Sequence, residues 1–256
     1  MCTPIFEKYS LDFPENLFIE LAKSAKFENI NKSRLGANLV DCANDLVPIV
    51  RTTTIYHEPN QKFLPVHYEI IDQIKKISKI ENLILNNALI EIYYSDYRNM
   101  GFHSDQALDL ADNSYICIYS CYNNPATRDL RKLVVKNKTT NKYFQINLEH
   151  NSVVMFSTET NRNHLHKIVL DQPSNQFSTN TQWLGITFRQ SKTFIKFINE
   201  IPYFYPTMIK LILADPSQRK EFYKLRSAEN ASIDYVYPLL DYTISEADLL
   251  PIEFDS

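Results

Sequence analysis

Asn87-Ala-Leu-Ile-Glu-Ile-Tyr-Tyr94, with Gly101-Phe-His-Ser-Asp105 shortly after it, indicates both the fold and the site of this chain. The first segment has the β-branched and aromatic content of a buried strand. Because side chains two apart share a face in extended chain, His103 and Asp105 can point at one metal ion. A distant histidine would complete the triad of two histidines and one carboxylate that holds ferrous iron. By itself the pair is weak evidence, and a surface turn is the simpler interpretation.

The strand pattern continues from residue 87 to residue 191. Clusters of Asn, Pro and other turn-forming residues separate short apolar runs, as between strands of an all-β core. The predicted strands are 88–94, 115–122, 133–137, 142–147, 152–156, 167–170 and 183–189. Such a series predicts a double-stranded β-helix, the jelly-roll barrel of the cupin type, whose mouth is a natural ligand site.

Helices are expected on both sides of this core. On the N-terminal side they begin near Pro14 and at residues 68–80, with a loop-rich stretch at 30–50 and a strand at 51–56. On the C-terminal side they are expected at 194–200, 205–213 and 218–229. The last is the best marked, because Asp215-Pro-Ser-Gln218 resembles a capping box with proline in the first turn.

The fold class is therefore α+β, mainly β, with helices flanking a jelly-roll core. We expect a single domain over 1–256. It has an N-terminal part at 1–86 that walls a pocket, a core at 87–191, and a helical extension at 192–256 whose tail, from residue 235, packs irregularly across the barrel.

Composition excludes several classes of protein. Three glycines in the whole chain leave no glycine-rich phosphate cradle, and a net charge of −3 gives no general attraction to nucleic acid. No apolar run is long enough to cross a membrane, and no secretory signal is visible. Cys2, Cys42, Cys117 and Cys121 lack zinc-site spacing and are expected to be reduced. These features favour the cytoplasm; the oligomeric state stays open.

The third metal ligand has two candidates. Six histidines are present, and only His164 and His166 follow the predicted strand at 152–156 within the β region. His166 opens the apolar run Ile168-Val-Leu170, as expected for a ligand at the start of a strand. His164 lies on the same strand face and remains a rival.

The ordered set of motifs resembles the AlkB-like branch of the Fe(II)/2-oxoglutarate dioxygenases. The matching residues are His103-Ser-Asp105, His166-Lys-Ile168 and Leu184-Gly-Ile-Thr-Phe-Arg189-Gln190, and the resemblance covers roughly residues 87–191. It implies Fe(II) bound by His103, Asp105 and His166, with 2-oxoglutarate and dioxygen as co-substrates. Arg189 and Tyr94 would bind 2-oxoglutarate.

The resemblance has three departures. The family's arginine six residues before its last one, which binds the distal carboxylate of 2-oxoglutarate, is Trp183 here. The family's asparagine two residues further on is Gly185 here. The family also has an asparagine two residues before the tyrosine that matches Tyr94, and this position is Ile92. Trp183 and Thr187 share a strand face with Arg189 and are expected to line the pocket. Either Arg189 binds the co-substrate together with Tyr94, or an unidentified side chain replaces the missing arginine.

Three functions fit these residues. The favoured one is hydroxylation or oxidative demethylation of a small-molecule, amino-acid or peptide substrate, with release of succinate and CO2. The second is demethylation or repair of nucleic-acid bases, supported by a basic segment at 128–142 but disfavoured by the net acidity. That segment holds Arg128, Arg131, Lys132, Lys136, Lys138 and Lys142. The third is a catalytically inactive cupin-like binding module, suggested by the missing arginine.

Overall fold

The computed structural model describes residues 5–171 and 181–252. Cys2 and residues 172–180, between the strands predicted at 167–170 and 183–189, lie outside these ranges. The helices are α1 (Phe18–Lys23), α2 (Pro65–Ser78), α3 (Thr158–Asn163) and α4 (Pro216–Ala231), with a 3-10 turn at Glu246–Leu249. No helix within the described ranges is long and apolar enough to cross a membrane.

Eight strands form one large sheet that runs through the centre of the protein. They are β1 (Glu7–Ser10), β2 (Glu28–Asn31), β3 (Arg34–Val40), β5 (Gln61–Lys62), β6 (Asn87–Tyr93), β7 (Tyr115–Tyr122), β10 (Ser152–Ser157) and β12 (Trp183–Arg189). The order is β1-β10-β7-β12-β6-β3-β2, with β5 beside β3. All neighbours are antiparallel except β5.

Three smaller sheets complete the strand content. They contain β11 (His164–Leu170), β8 (Arg131–Asn137) and β9 (Tyr143–Leu148); β14 (Ile201–Tyr205), β13 (Thr193–Ile198) and β4 (Leu46–Ile49); and β15 (Ile212–Leu213) with β16 (Tyr242–Thr243).

Both faces of the large sheet are covered, which explains its near-continuous apolar strands. On one face, α1 and α2 pack on β6, β7 and β12 through residues such as Leu21, Ile70 and Ile90. On the other face, Ile118 of the large sheet packs with Leu133 of the β11-β8-β9 sheet. The two sheets therefore enclose a shared interior, and the predicted mainly-β jelly-roll core is confirmed.

The predicted core strands agree closely with those observed. Strands 115–122 and 183–189 have the predicted bounds, and β11 begins earlier than predicted, at His164. Cys117 and Cys121 are buried and free, as expected for reduced core residues. The helix predicted at 68–80 begins at Pro65, because the chain before it is held by Leu64 N–H donating to His67 Nδ1 at 2.8 Å.

The N-terminal predictions need correction in three places. The first helix begins at Phe18 rather than near Pro14, because the Asn16 side chain accepts the Phe18 N–H at 3.0 Å. Residues 30–50, predicted to be loop-rich, contain β3, which pairs with β6, and β4, which pairs with β13. Residues 51–56 form no strand. Arg51 is buried and its side chain donates to the Asp109 carboxylate, so this segment is held by side-chain contacts instead of backbone hydrogen bonds between strands.

The C-terminal extension is only partly helical. The helices predicted at 194–200 and 205–213 are wrong, since β13, β14 and β15 occupy these residues. β13 pairs with β4 from the N-terminal half, so a distant partner overrides local helix-like spacing. The helix predicted at 218–229 is confirmed as α4, and Asp215 and Gln218 form the expected reciprocal capping box. Treating 1–256 as a single domain stays a prediction.

Candidate metal centre and active site

Three predicted side chains meet at the open end of the jelly roll. The candidate ligand atoms of His103, Asp105 and His166 all lie within 4.8 Å of one another. His166 Nε2 is 3.6 Å and His103 Nε2 is 3.9 Å from Asp105 Oδ1. A backbone bridge joins the two histidines, with N–H to carbonyl distances of 3.0 and 2.7 Å in the two directions.

The rival histidine is engaged elsewhere. His164 and His166 share the buried face of β11, as the alternation predicted. His164, however, lies 2.9 Å through Nδ1 from the Thr160 carbonyl and 3.2 Å through Nε2 from Asn137 Nδ2. The structure therefore brings His166, and not His164, to the Asp105 carboxylate.

Two asparagines hold the backbone of the metal-binding segment, and sequence reasoning missed both. Asn161 Oδ1 accepts the Asp105 N–H at 2.9 Å, while Asn161 Nδ2 donates to the Asp105 carbonyl at 2.7 Å. Asn230 of α4 accepts the Ser104 N–H at 2.9 Å. A single asparagine in a polar segment carries no signal for such a contact in one sequence.

The protonation states of the cluster favour a bound cation. Burial, and then the neighbouring His166, lower the pKa of His103 to about 3. Burial would raise the pKa of the Asp105 carboxyl, but His166, Arg189 and His103 together hold it below its usual range. At neutral pH the cluster therefore presents a neutral imidazole on His103 and an ionised carboxylate, the forms that bind metal.

Unpartnered polar atoms also fit a metal here. Asp105 Oδ2 and His166 Nδ1 are buried and have no hydrogen-bond partner within the described residues. Buried polar atoms normally find a partner, so the unpartnered Asp105 Oδ2 indicates a further group beside this carboxylate. His166 Nδ1 is on the other side of its ring from Nε2, the nitrogen that lies near Asp105 Oδ1. Two imidazoles and one carboxylate on one side, with space on the other, suit Fe(II).

A cavity of about 340 Å³ opens directly onto this cluster. Its floor is the inner face of the large sheet, including Leu89, Glu91, Thr187 and Arg189. Thr52–Thr54 and Arg226 of α4 wall it, so segments from both sides of the core border the pocket. The cavity therefore joins the N-terminal, core and C-terminal parts of the chain.

Arg189 lies where the sequence predicted. It is 4% exposed, and its Nη1 is 3.8 Å from Asp105 Oδ2. Its Nε is buried without a hydrogen-bond partner within the described ranges. Thr187 lines the same cavity from the same strand. A buried guanidinium with an unused N–H beside the metal cluster is suited to a carboxylate ligand.

Tyr94 is not brought to the site, and the tyrosine there is Tyr93. Tyr94 follows the last residue of β6 and is 37% exposed, whereas Tyr93 is fully buried and lines the cavity. Since faces alternate along a strand, a shift of one residue exchanges inside for outside. Counted from Tyr93, the inward residue two positions earlier is Glu91, whereas counting from Tyr94 gave Ile92. Glu91 accepts a hydrogen bond from the Tyr93 hydroxyl at 2.7 Å.

Trp183 does not line the cavity, contrary to expectation. It is buried between the sheets, its indole N–H donates to Ser120 Oγ at 2.6 Å, and its ring lies 4.9 Å from that of Tyr93. The ring also covers Gly185, where an added Cβ would come within 2.0 Å of it. Gly185 is therefore the consequence of Trp183, since any side chain there would displace the indole.

An arginine two strands away in the large sheet lies in the same row as Trp183. Across three strands the register is Arg34 beside Tyr93 beside Trp183. Arg34 lines the cavity, and its Nε donates to Glu91 Oε1 at 2.7 Å while Nη2 also contacts this oxygen. Sequence reasoning missed Arg34 because it lies in the stretch predicted to be loop-rich.

Comparison with known proteins is consistent with this geometry. The family model described as the 2OG-Fe(II) oxygenase superfamily matches residues 28–189, more than half of the chain. The solved structure of OsALKBH1 is similar at 15% sequence identity with a TM-score of 0.51, over 74% of this chain and 98% of that chain. No match was found among curated proteins. The matched range includes all three clustered side chains and Arg189.

Proposed function

This chain belongs to the 2OG-Fe(II) oxygenase superfamily, and on that premise we propose that it oxidises a C–H bond of a small-molecule, amino-acid or peptide substrate. It is an AlkB-like oxidoreductase that uses Fe(II), 2-oxoglutarate and dioxygen. The proposed outcome is hydroxylation, or demethylation when the carbon is a methyl on nitrogen, with release of succinate and CO2. Family membership sets aside the inactive binding module.

His103, Asp105 and His166 are the proposed iron ligands. The buried, unpartnered Asp105 Oδ2 and the low pKa of His103 support this assignment. When bound, the iron supplies the activation of dioxygen that drives oxidation of the substrate. The side chains fix its position, because Asn161 and Asn230 hold the backbone between the first two ligands.

Two arginines are the proposed partners of the two carboxylates of 2-oxoglutarate. Arg189 would bind the one beside the metal, through its unused Nε and its fork geometry. Arg34 would bind the distal one, replacing the arginine absent from position 183. Its Nε and Nη2 contact Glu91, so the Nη1 edge is left for a second carboxylate. Thr187 contributes a hydroxyl to the cavity between them.

The cations of the basic segment are largely occupied, which supports a substrate other than nucleic acid. Arg131 is buried and donates to the Tyr97 and Tyr94 carbonyls at 2.6 and 2.9 Å. Lys138 donates to the carbonyls of Glu229 and Ser232 at 2.8 and 3.0 Å. Lys132 pairs with Asp171, and Lys136 lies over the Tyr143 ring. Four of the six cations of 128–142 therefore make contacts within the protein.

Succinate formation under aerobic turnover tests this proposal. With Fe(II) and labelled 2-oxoglutarate, we expect release of succinate to rise with a member of a panel of free, N-methylated and peptide-bound amino acids. Asp105→Ala should abolish it. Stimulation only by N-methylated oligonucleotides would overturn the choice of substrate class, and full activity of the Asp105→Ala enzyme would overturn the metal assignment.

A further inference from the structure

Helix α4 presents two arginines to the protein interior, and neither belongs to the proposed iron or 2-oxoglutarate sites. Arg219 and Arg226 are seven residues apart, so they lie on the same helix face about 10 Å apart along the axis. The buried residues of α4, Phe222 and Glu229, share this face. Both arginines are half-buried.

Neither guanidinium has an acidic partner or a side-chain hydrogen bond within the described residues. Two other inward-facing arginines are paired with acids: Arg34 with Glu91, and Arg51 with Asp109 at 2.8 Å. Leaving a partly desolvated cation without a counter-charge is unfavourable. Two such cations on the inward face of α4 therefore indicate an anionic ligand that binds there.

Each arginine lines a cavity, and the two cavities adjoin. Arg226 borders the cavity of about 340 Å³ at the metal cluster. Arg219 borders a second one of about 590 Å³. Thr53 and Thr54 line both, so these two residues mark the place where the cavities meet.

The acids of the second cavity are already satisfied. Glu28 accepts the backbone N–H groups of His57 and Glu58 at 2.9 Å each. Glu246 Oε2 lies 3.0 Å from His57 Nδ1. These carboxylates therefore leave Arg219 available to a ligand.

Helix α4 is also fixed relative to the metal cluster. Asn230 accepts the Ser104 N–H, between two of the proposed ligands, and Glu229 Oε1 accepts the Ala107 N–H at 2.8 Å. Arg226 and His103 line the same cavity. A group held by Arg226 would thus be held at a defined position relative to the metal.

We infer that the adjoining cavities form one substrate channel, and that Arg226 and Arg219 bind two anionic groups of an elongated substrate. This inference rests on the proposed function and specifies its substrate class. The anionic groups are carboxylates or phosphates about 10 Å apart, the spacing of the two arginines along α4. The carbon to be oxidised then lies on the metal side of the group bound by Arg226.

Calorimetry on the anaerobic enzyme preloaded with Fe(II) and 2-oxoglutarate tests the channel. The probes are octanedioate, octanoate as its single-anion match, and 1,6-hexanediol bisphosphate. The visible band of the iron–2-oxoglutarate chelate is followed throughout, to show that the probes do not displace the co-substrate. The variants are Arg226→Gln and Arg219→Gln. Lys220→Gln, on the exposed side of the same helix, removes the same charge as a matched control.

We expect octanedioate or the bisphosphate to bind the wild type about tenfold or more tightly than octanoate. Arg219→Gln should remove this advantage, Arg226→Gln should weaken all probes, and Lys220→Gln should behave as wild type. The tighter of the two double anions identifies carboxylate or phosphate. If a glutamine variant forms no chelate, the corresponding lysine variant replaces it, and loss of fork geometry should still weaken binding.

Either of two binding patterns would overturn the inference. One is equal binding of octanedioate, octanoate and the bisphosphate; the other is identical binding by the arginine variants and Lys220→Gln. Absence of probe binding in a wild type that forms the chelate would also reject the channel while leaving the proposed function intact. A wild type that forms no chelate would instead contradict the proposed function itself.

Discussion

At the scale of single residues, membership of the site depends on which way a side chain points from its strand. His103, Asp105 and Arg189 could be recognised from sequence because residue type and order carry their chemistry. Tyr93 and Arg34 could not. The first differs from Tyr94 only by strand parity, and the second depends on pairing between distant strands.

Arg189→Lys should weaken binding of 2-oxoglutarate by about tenfold and leave iron affinity largely unchanged. Lysine keeps the charge beside Asp105 but loses the two-point fork. The measurement is the dissociation constant of 2-oxoglutarate on the manganese-loaded protein. Arg162→Lys, at an exposed ion pair with Asp112, is the matched control. An unchanged constant for Arg189→Lys would mean that another residue binds the acid.

Gly185→Ala should destabilise the protein by about 1–3 kcal/mol, because the new Cβ would lie 2.0 Å from the Trp183 ring. Trp183 is the single tryptophan, so its fluorescence should change as the ring moves. Denaturant unfolding measures the loss. Adding Trp183→Phe should recover part of it, since the smaller ring leaves room. Equal stability of wild type and Gly185→Ala would show that the indole does not cover Gly185.

At the scale of helices and strands, local patterns succeeded at a helix cap and along continuous apolar strands. The capping box of α4 and the apolar runs of β7 and β12 are such cases. β13 and β14 were mistaken for helices, although they pair with each other as a hairpin, and the distant strand β4 pairs with the other edge of β13. Helix α2 adds a case in which a buried histidine performs the capping.

His67 should make the protein less stable as the pH falls from about 6.5 to about 4. Its Nδ1 accepts the Leu64 N–H at 2.8 Å, and burial lowers its pKa from 6.5 to about 4. Between these values the unfolded chain binds the proton and the folded chain does not, so stability is full above 6.5 and decreases below it. The loss reaches about 3 kcal/mol.

Urea unfolding at pH 7 and pH 4.5 measures the His67 effect. His67→Gln keeps an acceptor for the Leu64 N–H but cannot be protonated, so its stability should depend less on pH by about the same amount. The variant of exposed His57, His57→Gln, controls for histidine titration in general. Parallel pH dependence of wild type and His67→Gln would contradict the explanation.

At the scale of the whole molecule, the site draws on segments far apart in the chain. The described cavity is bordered by β3, the 52–54 segment, the jelly-roll core and α4. The sequence predicted that an N-terminal part at 1–86 would wall a pocket and that the C-terminal tail would pack across the barrel. It could not give their contacts, since these depend on tertiary packing.

The molecule as a whole should bind oligonucleotides weakly and with little salt dependence. The net charge is −3, and Arg131 and Lys138 are engaged within the protein. Each phosphate contact would change the affinity by about 0.7–0.9 log units per tenfold change in salt. Fluorescence anisotropy of a labelled oligonucleotide at several salt concentrations measures the slope. A fall in oligonucleotide affinity of several log units per tenfold rise in salt would instead support a nucleic-acid substrate.

The most direct test of the iron and 2-oxoglutarate site is anaerobic titration of the protein with Fe(II) and then 2-oxoglutarate. Chelation of the metal by the keto acid gives a weak visible charge-transfer band. We predict that the wild type develops this band to saturation, that Arg189→Lys needs more 2-oxoglutarate to do so, and that Asp105→Ala develops none. A wild type without the band, or an Asp105→Ala protein with an unchanged band, would contradict the account.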